Sequence, residues 1–139
     1  MLCPVCLFDV GTPSQVIPRH RDSYGSFCPM SGEPAYVWDE RDTRAAVRGR
    51  SGDICEVCDK ARATEMHHRI SRGVGGTWCP ANILHLCHRC HRQATDHPAW
   101  AYSMGISLKR DQDPEEVPVI INRLLVLSND VAPPRRNRR

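Results

Sequence analysis

Two histidines, His67 and His68, stand side by side in the stretch EMHHRI at 65–70. Imidazole can accept a proton or bind a divalent metal near neutral pH, so either ring could do chemistry. The stretch reads as a short strand, however, and neighbours on a strand point to opposite faces. The pair is therefore poorly built to chelate one ion together. It is either two parts of one site with different jobs, or two exposed polar residues. Two CxxC knuckles frame it, CEVC at 55–58 and CHRC at 87–90. Each knuckle places two thiolates on one side of a tight turn, and two such turns close a tetrahedral zinc site on Cys55, Cys58, Cys87 and Cys90. A thioredoxin-like redox centre would need one CxxC in a strand–helix setting, not a matched pair. The knuckles lie about thirty residues apart, more than in a minimal zinc ribbon, so a substructure must sit between them.

A third knuckle, Cys3 and Cys6, is followed by His20 and Cys28. Three thiolates and an imidazole suit a second structural zinc, and this Pro-rich segment has no other visible staple. The alternative for His20, flanked by Arg19 and Arg21, is a basic loop. Cys79 is left over as a free thiol, buried or half-buried.

Between the later knuckles the chain reads EMHHRISRGVGGTWCPANILHLCHRCH. The order of a first CxxC, the HH pair, the Gly75–Gly76 turn, Asn82 in ANILHLC, and a second CxxC followed at once by His91 resembles the HNH endonucleases. These are the ββα-metal or His-Me finger nucleases, and the likeness is to their small zinc-stapled phage members. The resemblance covers roughly 51–97. It implies DNA phosphodiester hydrolysis with a divalent metal (Mg2+, Mn2+, Ni2+ or Zn2+) and a histidine base. It assigns His68 as general base, His67 and His91 as ligands of the catalytic ion, and Asn82 as the brace of the loop that orients the base. Some relatives carry a further ligand four residues after the last motif histidine, where this chain has Thr95; His97 lies six residues on. It also implies DNA as partner, a link with phage terminase among the open biological roles, and a monomer or homodimer.

The chemistry suits the residue types. Hydrolysing a phosphodiester needs an activated water, charge neutralisation at the phosphate and help for the departing oxygen. A neutral imidazole serves the first need and a divalent metal the others. Asn82 would also suit a helix N-cap ahead of ILHLC. Arg69, Arg72, Arg89 and Arg92 surround the motif and suit bidentate phosphate contacts, or are ordinary surface arginines. His85 reads as a packed residue and His88 as part of the knuckle.

Elements of limited size must position these groups. At 139 residues with 11 prolines, 9 glycines and 40% apolar residues, the chain is expected to be loop-rich and to need staples. Four segments follow: a zinc module at 1–34, a charged helix or linker at 35–50, a nuclease core at 51–104, and a β-hairpin with a basic tail at 105–139. The arginines at 41, 44 and 48 recur at helical spacing and read as a solvated face rather than a nucleic-acid stripe. DPEEVPVIINRLLVLSND, 113–130, reads as two short strands joined near Asn122–Arg123. The fold class is thus α+β, a small zinc-stabilised ββα-metal core with an N-terminal zinc module of three cysteines and one histidine and a C-terminal hairpin.

Net charge is +3, but four of the 19 basic residues lie in the closing RRNRR, so the rest of the chain is nearly neutral. That tail would add sequence-independent phosphate attraction or be a solvated end. MLCPVCLF shows no basic n-region or apolar h-region, and VPVIINRLLVLS is interrupted by Asn122 and Arg123. No signal peptide or membrane span is expected, and the reducing cytoplasm is the expected compartment, the host's if the chain is phage-encoded. The rival class is a non-catalytic zinc module binding nucleic acid or protein.

Overall fold

The computed structural model describes residues 21, 24–26, 38–120 and 124–129. Cys3, Cys6, His20, Cys28 and the arginine-rich tail lie outside the described residues. Two compact units divide the chain, Met1–Val37 and Trp38–Arg139. In the first, a turn at Gly25 (φ 82°) is closed by Arg21 Nη1 donating to Gly25 O at 2.6 Å. The second holds both later knuckles and the histidines between them.

That unit begins with helix α1, Glu40–Ser51. Asp39 caps it by accepting from Asp42 N at 2.8 Å, acidic residues fill the first turn and basic ones the last. Gly52 ends it in the left-handed conformation. Thr43 and Val47 face inward with no exposure, while Arg44 and Arg48 point out to Glu40 and Asp53. The charged stretch is therefore a helix with one packed side.

Strands β1 (Glu65–His68) and β2 (Ile83–Leu86) form an antiparallel pair, with His67 opposite Leu84 and His68 opposite Ile83. All four β2 residues are buried. Ile83–Leu86 is thus a strand buried along its length, not a helix capped by Asn82, with α1 and the helix at His88–Asp96 both packed on it. Helix α2, His88–Asp96, starts inside the second knuckle, with Cys87 as its N-cap, and packs on both strands. Pro98 begins helix α3, Pro98–Ser103, and His97 sits at the junction. A second antiparallel pair, β3 (Val119–Ile120) with β4 (Leu124–Leu125), closes the C-terminal part. Among the described residues no helix is long and apolar enough to cross a membrane.

The loop from β1 to β2 owes its shape to Gly75 and Gly76. Gly75 adopts φ 98°, and a Cβ on Gly76 would lie 1.7 Å from Ile70 O. Only glycine permits that approach.

Arg69 ends the expectation that it grips nucleic acid. It is 1% exposed, and its guanidinium is used up inside the protein. Nε donates to Gly105 O at 2.9 Å, Nη1 to Ala81 O at 3.0 Å and Pro114 O at 2.8 Å, and Nη2 to Val117 O at 2.6 Å. Burial lowers its pKa to about 10, so it still carries its charge at neutral pH. Four carbonyls from three separate segments depend on this one cation.

Arg69→Met is expected to destabilise the fold by about 3–5 kcal/mol, because it strands buried acceptors that an alkyl chain cannot satisfy. Arg69→Lys should fall between, keeping the charge without the fork. Urea unfolding followed by circular dichroism reads both; a Met variant within about 0.5 kcal/mol of wild type, the range of ordinary surface substitutions, would refute the role.

Candidate functional site

The fold brings the two knuckles together. One ligand atom each from Cys55, Cys58, Cys87 and Cys90 lies within 4.8 Å of all the others. A tetrahedral ion with metal–sulfur bonds of about 2.3 Å needs sulfur–sulfur edges of about 3.8 Å, so the donor set fits with a small contraction. The turns are built for it: Ala61 N donates to Cys58 Sγ and Cys90 N to Cys87 Sγ, each at 3.5 Å. The sulfurs belong to the core, since Cys55, Cys87 and Cys90 are buried beside Val57, Leu84 and Leu86. Burial raises the pKa of Cys55 and Cys90, whereas the Ala61 N–H pulls Cys58 down to about 7. This four-cysteine cluster could bind a structural metal such as zinc, and among the described residues it is the one group of three or more such ligands. All four cysteines are free of disulfides.

Beside the cluster, β1 sorts its side chains onto two faces. Glu65 and His67, two residues apart, share one face and meet α2. The rings of His67 and His91 stand edge to face with centroids 5.2 Å apart. His67 Nε2 lies 3.0 Å from Ile106 O, which can only accept, so Nε2 carries the proton and Nδ1 keeps the lone pair. Burial, with His91 second, holds the His67 pKa down to about 4. Glu65 holds two rings, its Oε2 3.3 Å from His91 Nδ1 and its Oε1 3.3 Å from His88 Nδ1. Burial would raise the Glu65 pKa, but its hydrogen bonds and charge interactions with His88 and His91 outweigh it, and the net shift is downward. With Nδ1 of His91 turned to a carboxylate, its Nε2 is left for another partner.

His68 belongs to the other face. Its ring stands edge to face with Trp78 at 4.5 Å, and Arg44 of α1 lies over Trp78 at 4.9 Å from the ring centroid. Its Nε2 is buried and has no hydrogen-bond partner among the described residues. Burial first, then the charge of Arg72, lowers the His68 pKa, which favours the neutral ring. β1 ends at His68. The structure thus joins His67 to His91 and puts His68 against a different set of neighbours.

Asn82, 1% exposed, pins the loop that follows His68. Its Oδ1 accepts from Ile70 N at 2.8 Å, and its Nδ2 donates to Ile70 O at 3.2 Å and Thr77 O at 3.0 Å. Its carbonyl accepts from Arg69 N at 2.8 Å. Both ends of the loop are tied to one amide.

The remaining candidates separate cleanly. Thr95 spends its hydroxyl on His91 O at 3.1 Å, and His97 is an exposed cap residue. Arg72, Arg89 and Arg92 are exposed, with Arg92 paired to Asp96 at 3.4 Å. His85 is buried, 2.7 Å from Ser51 Oγ. Cys79 is a half-buried free thiol. Sequence reasoning overlooked Glu65 and Trp78, and read Arg44 as part of a solvated helix face. Glu65 was within reach of the period-two rule, standing two residues before His67; Trp78 gave no signal, because its loop and the helix of Arg44 meet only in the fold.

No family model, no curated protein and no solved structure matches the chain.

Cys90→Ser is expected to lose the metal held by the four-cysteine cluster and to lower the denaturation midpoint, because its binding energy is folding energy. Elemental analysis of wild type and variant checks this. Equal tightly bound metal in both would remove the cluster as a metal centre.

Proposed function

We propose that the chain is a metal-dependent endonuclease of the HNH type, hydrolysing DNA phosphodiester bonds, with zinc on Cys55, Cys58, Cys87 and Cys90 as its structural staple. The observation that carries this reading is the 5.2 Å approach of His67 and His91. Two imidazoles on one ion, at nitrogen–metal distances of about 2.0–2.1 Å, place their centres about 5 Å apart. Each ring also has its other nitrogen held by a protein acceptor, the arrangement that fixes tautomer and orientation in histidine ligands. Bound by His67 and His91, a divalent ion would neutralise the phosphate and stabilise the leaving oxygen.

His68 would take the proton of the attacking water. Burial and nearby arginines favour its neutral form, which is the form a general base needs. Because His68 closes β1, a phosphodiester laid across that strand end would have His67 and His91 on one side and His68 on the other. Asn82 would keep the loop after His68 from drifting. One such centre per chain predicts nicking by a monomer, or double-strand cleavage by a homodimer. Processing of phage DNA together with a terminase is the biological setting this reading favours, and the N-terminal zinc set of Cys3, Cys6, His20 and Cys28 is a second part of it.

A non-catalytic zinc module that binds nucleic acid or protein is the second reading. The separation of His68 from the His67–His91 pair favours it, since a binding module needs no base near the ion.

Supercoiled plasmid incubated with Mg2+, Mn2+ or Ni2+ separates the two. Wild type is expected to nick it, and His68→Ala to lose about 10²–10⁴-fold in rate, the usual worth of a general base. His91→Ala should also fail, with partial recovery at raised metal concentration. Equal cleavage by wild type and His68→Ala would eliminate the base, and no cleavage by wild type would leave the binding module.

A further inference from the structure

Trp78 is hard to explain as a core residue. It is half-buried, stands in the glycine-containing loop, and lies outside the buried hydrophobic cluster. It touches one charged and one titratable group, Arg44 over its face and His68 against its ring. Arg44 comes from α1, Trp78 from the loop and His68 from β1, so three elements converge on one spot. Arg72, on the same loop, is exposed and makes no ion pair among the described residues.

We infer that Arg44, held on Trp78, forms with Arg72 a backbone-phosphate subsite for duplex DNA beside His68. This rests on the endonuclease reading and extends its substrate contacts to α1, a segment outside the zinc-framed motif. Stacking on an aromatic face fixes a guanidinium that would otherwise sample many rotamers, so less order is lost when it meets a phosphate. The planar fork suits phosphate oxygens. Glu40 competes for Arg44, since its Oε1 takes both Nε at 2.9 Å and Nη2 at 2.8 Å. That pair is about half exposed on both sides, where such contacts are weak and a phosphodiester can displace them. The buried Nε2 of His68, without a hydrogen-bond partner among the described residues, adds a polar atom to the same place. A phosphate gripped there would lie next to the imidazole that the proposed reaction uses.

Binding and cleavage are measured separately. Fluorescence anisotropy of a labelled DNA duplex, with zinc-loaded full-length protein and no added Mg2+ or Mn2+, is followed across a NaCl series. Arg44→Ala and Arg72→Ala should each weaken binding and reduce the log–log salt slope by about one. Trp78→Leu should weaken binding with no change of charge, by freeing Arg44. Arg41→Ala, the same charge loss on an exposed residue of the same helix, should leave affinity close to wild type. Unchanged zinc content and circular dichroism certify the fold of each variant. Equal effects of Arg41→Ala and Arg44→Ala, or wild-type binding by Arg44→Ala, would overturn the subsite. If this pattern holds while wild type never nicks plasmid, the subsite stands and the hydrolytic reading fails. If wild type nicks and Arg44→Ala nicks and binds equally well, the subsite alone fails.

Discussion

A single buried cation organises the second unit. Arg69 follows directly on β1, and its side chain binds carbonyls of Gly105, Ala81, Pro114 and Val117. No carboxylate is among these four partners; carbonyl dipoles stabilise the charge. An ion taken out of water in this way is costly unless its donors are satisfied, so the surrounding backbone is held to one arrangement. The main chain of Arg69 adds two more ties, its N–H to Asn82 O and its carbonyl to Leu108 N. Short irregular segments that could not order themselves are thereby fixed against the strand that carries the histidines. Ile106, whose carbonyl sets the tautomer of His67, is one residue from a carbonyl that Arg69 holds.

A second ionic anchor works from the opposite end. Arg50, in the last turn of α1, forks onto Glu56 at 2.6 and 2.9 Å and also reaches Pro80 O and Ile83 O. Glu56, inside the first knuckle, accepts from His85 N at 2.8 Å. Helix, knuckle and strand are joined through a pair that is mostly buried. A cluster of four sulfurs needs rigid turns, and this network supplies rigidity to the knuckle whose loop carries little apolar surface of its own. Cys87 serves both structure and site, as ligand candidate and as cap of α2, the helix that brings His91 to His67.

The two faces of β1 give adjacent histidines different electrostatic settings. His67 is half-buried against His91 and a backbone carbonyl, while His68 lies among Trp78, Arg44 and Arg72. Both rings are pushed towards neutrality, mainly by burial. Neutral imidazole is the competent form for binding a metal and for accepting a proton alike. A strand is thus an economical way to hold two such groups apart while keeping them one residue from each other.

Much of this was legible before any fold was known. The matched knuckles pointed to one four-cysteine cluster, because ligand spacing in a tight turn is a local property. Opposed faces for His67 and His68 followed from the strand period, the helical spacing of Arg41, Arg44 and Arg48 suggested a charged helix or linker there, and apolar patterning suggested the terminal strand pair. Other features were not local. Arg69 reads as one more arginine in a basic stretch, and nothing near it in the chain reveals that its partners lie up to 48 residues away. ILHL, an apolar run too short for periodicity to distinguish strand from helix, was decided by what packs on it. The approach of His91 to His67, the carboxylate of Glu65 between two helix histidines, and the convergence of Arg44, Trp78 and His68 are also products of assembly. Sequence spacing determines which donors one turn can present; only the tertiary structure decides which charges are buried and whose ring faces whose, because those energies depend on neighbours brought from elsewhere in the chain.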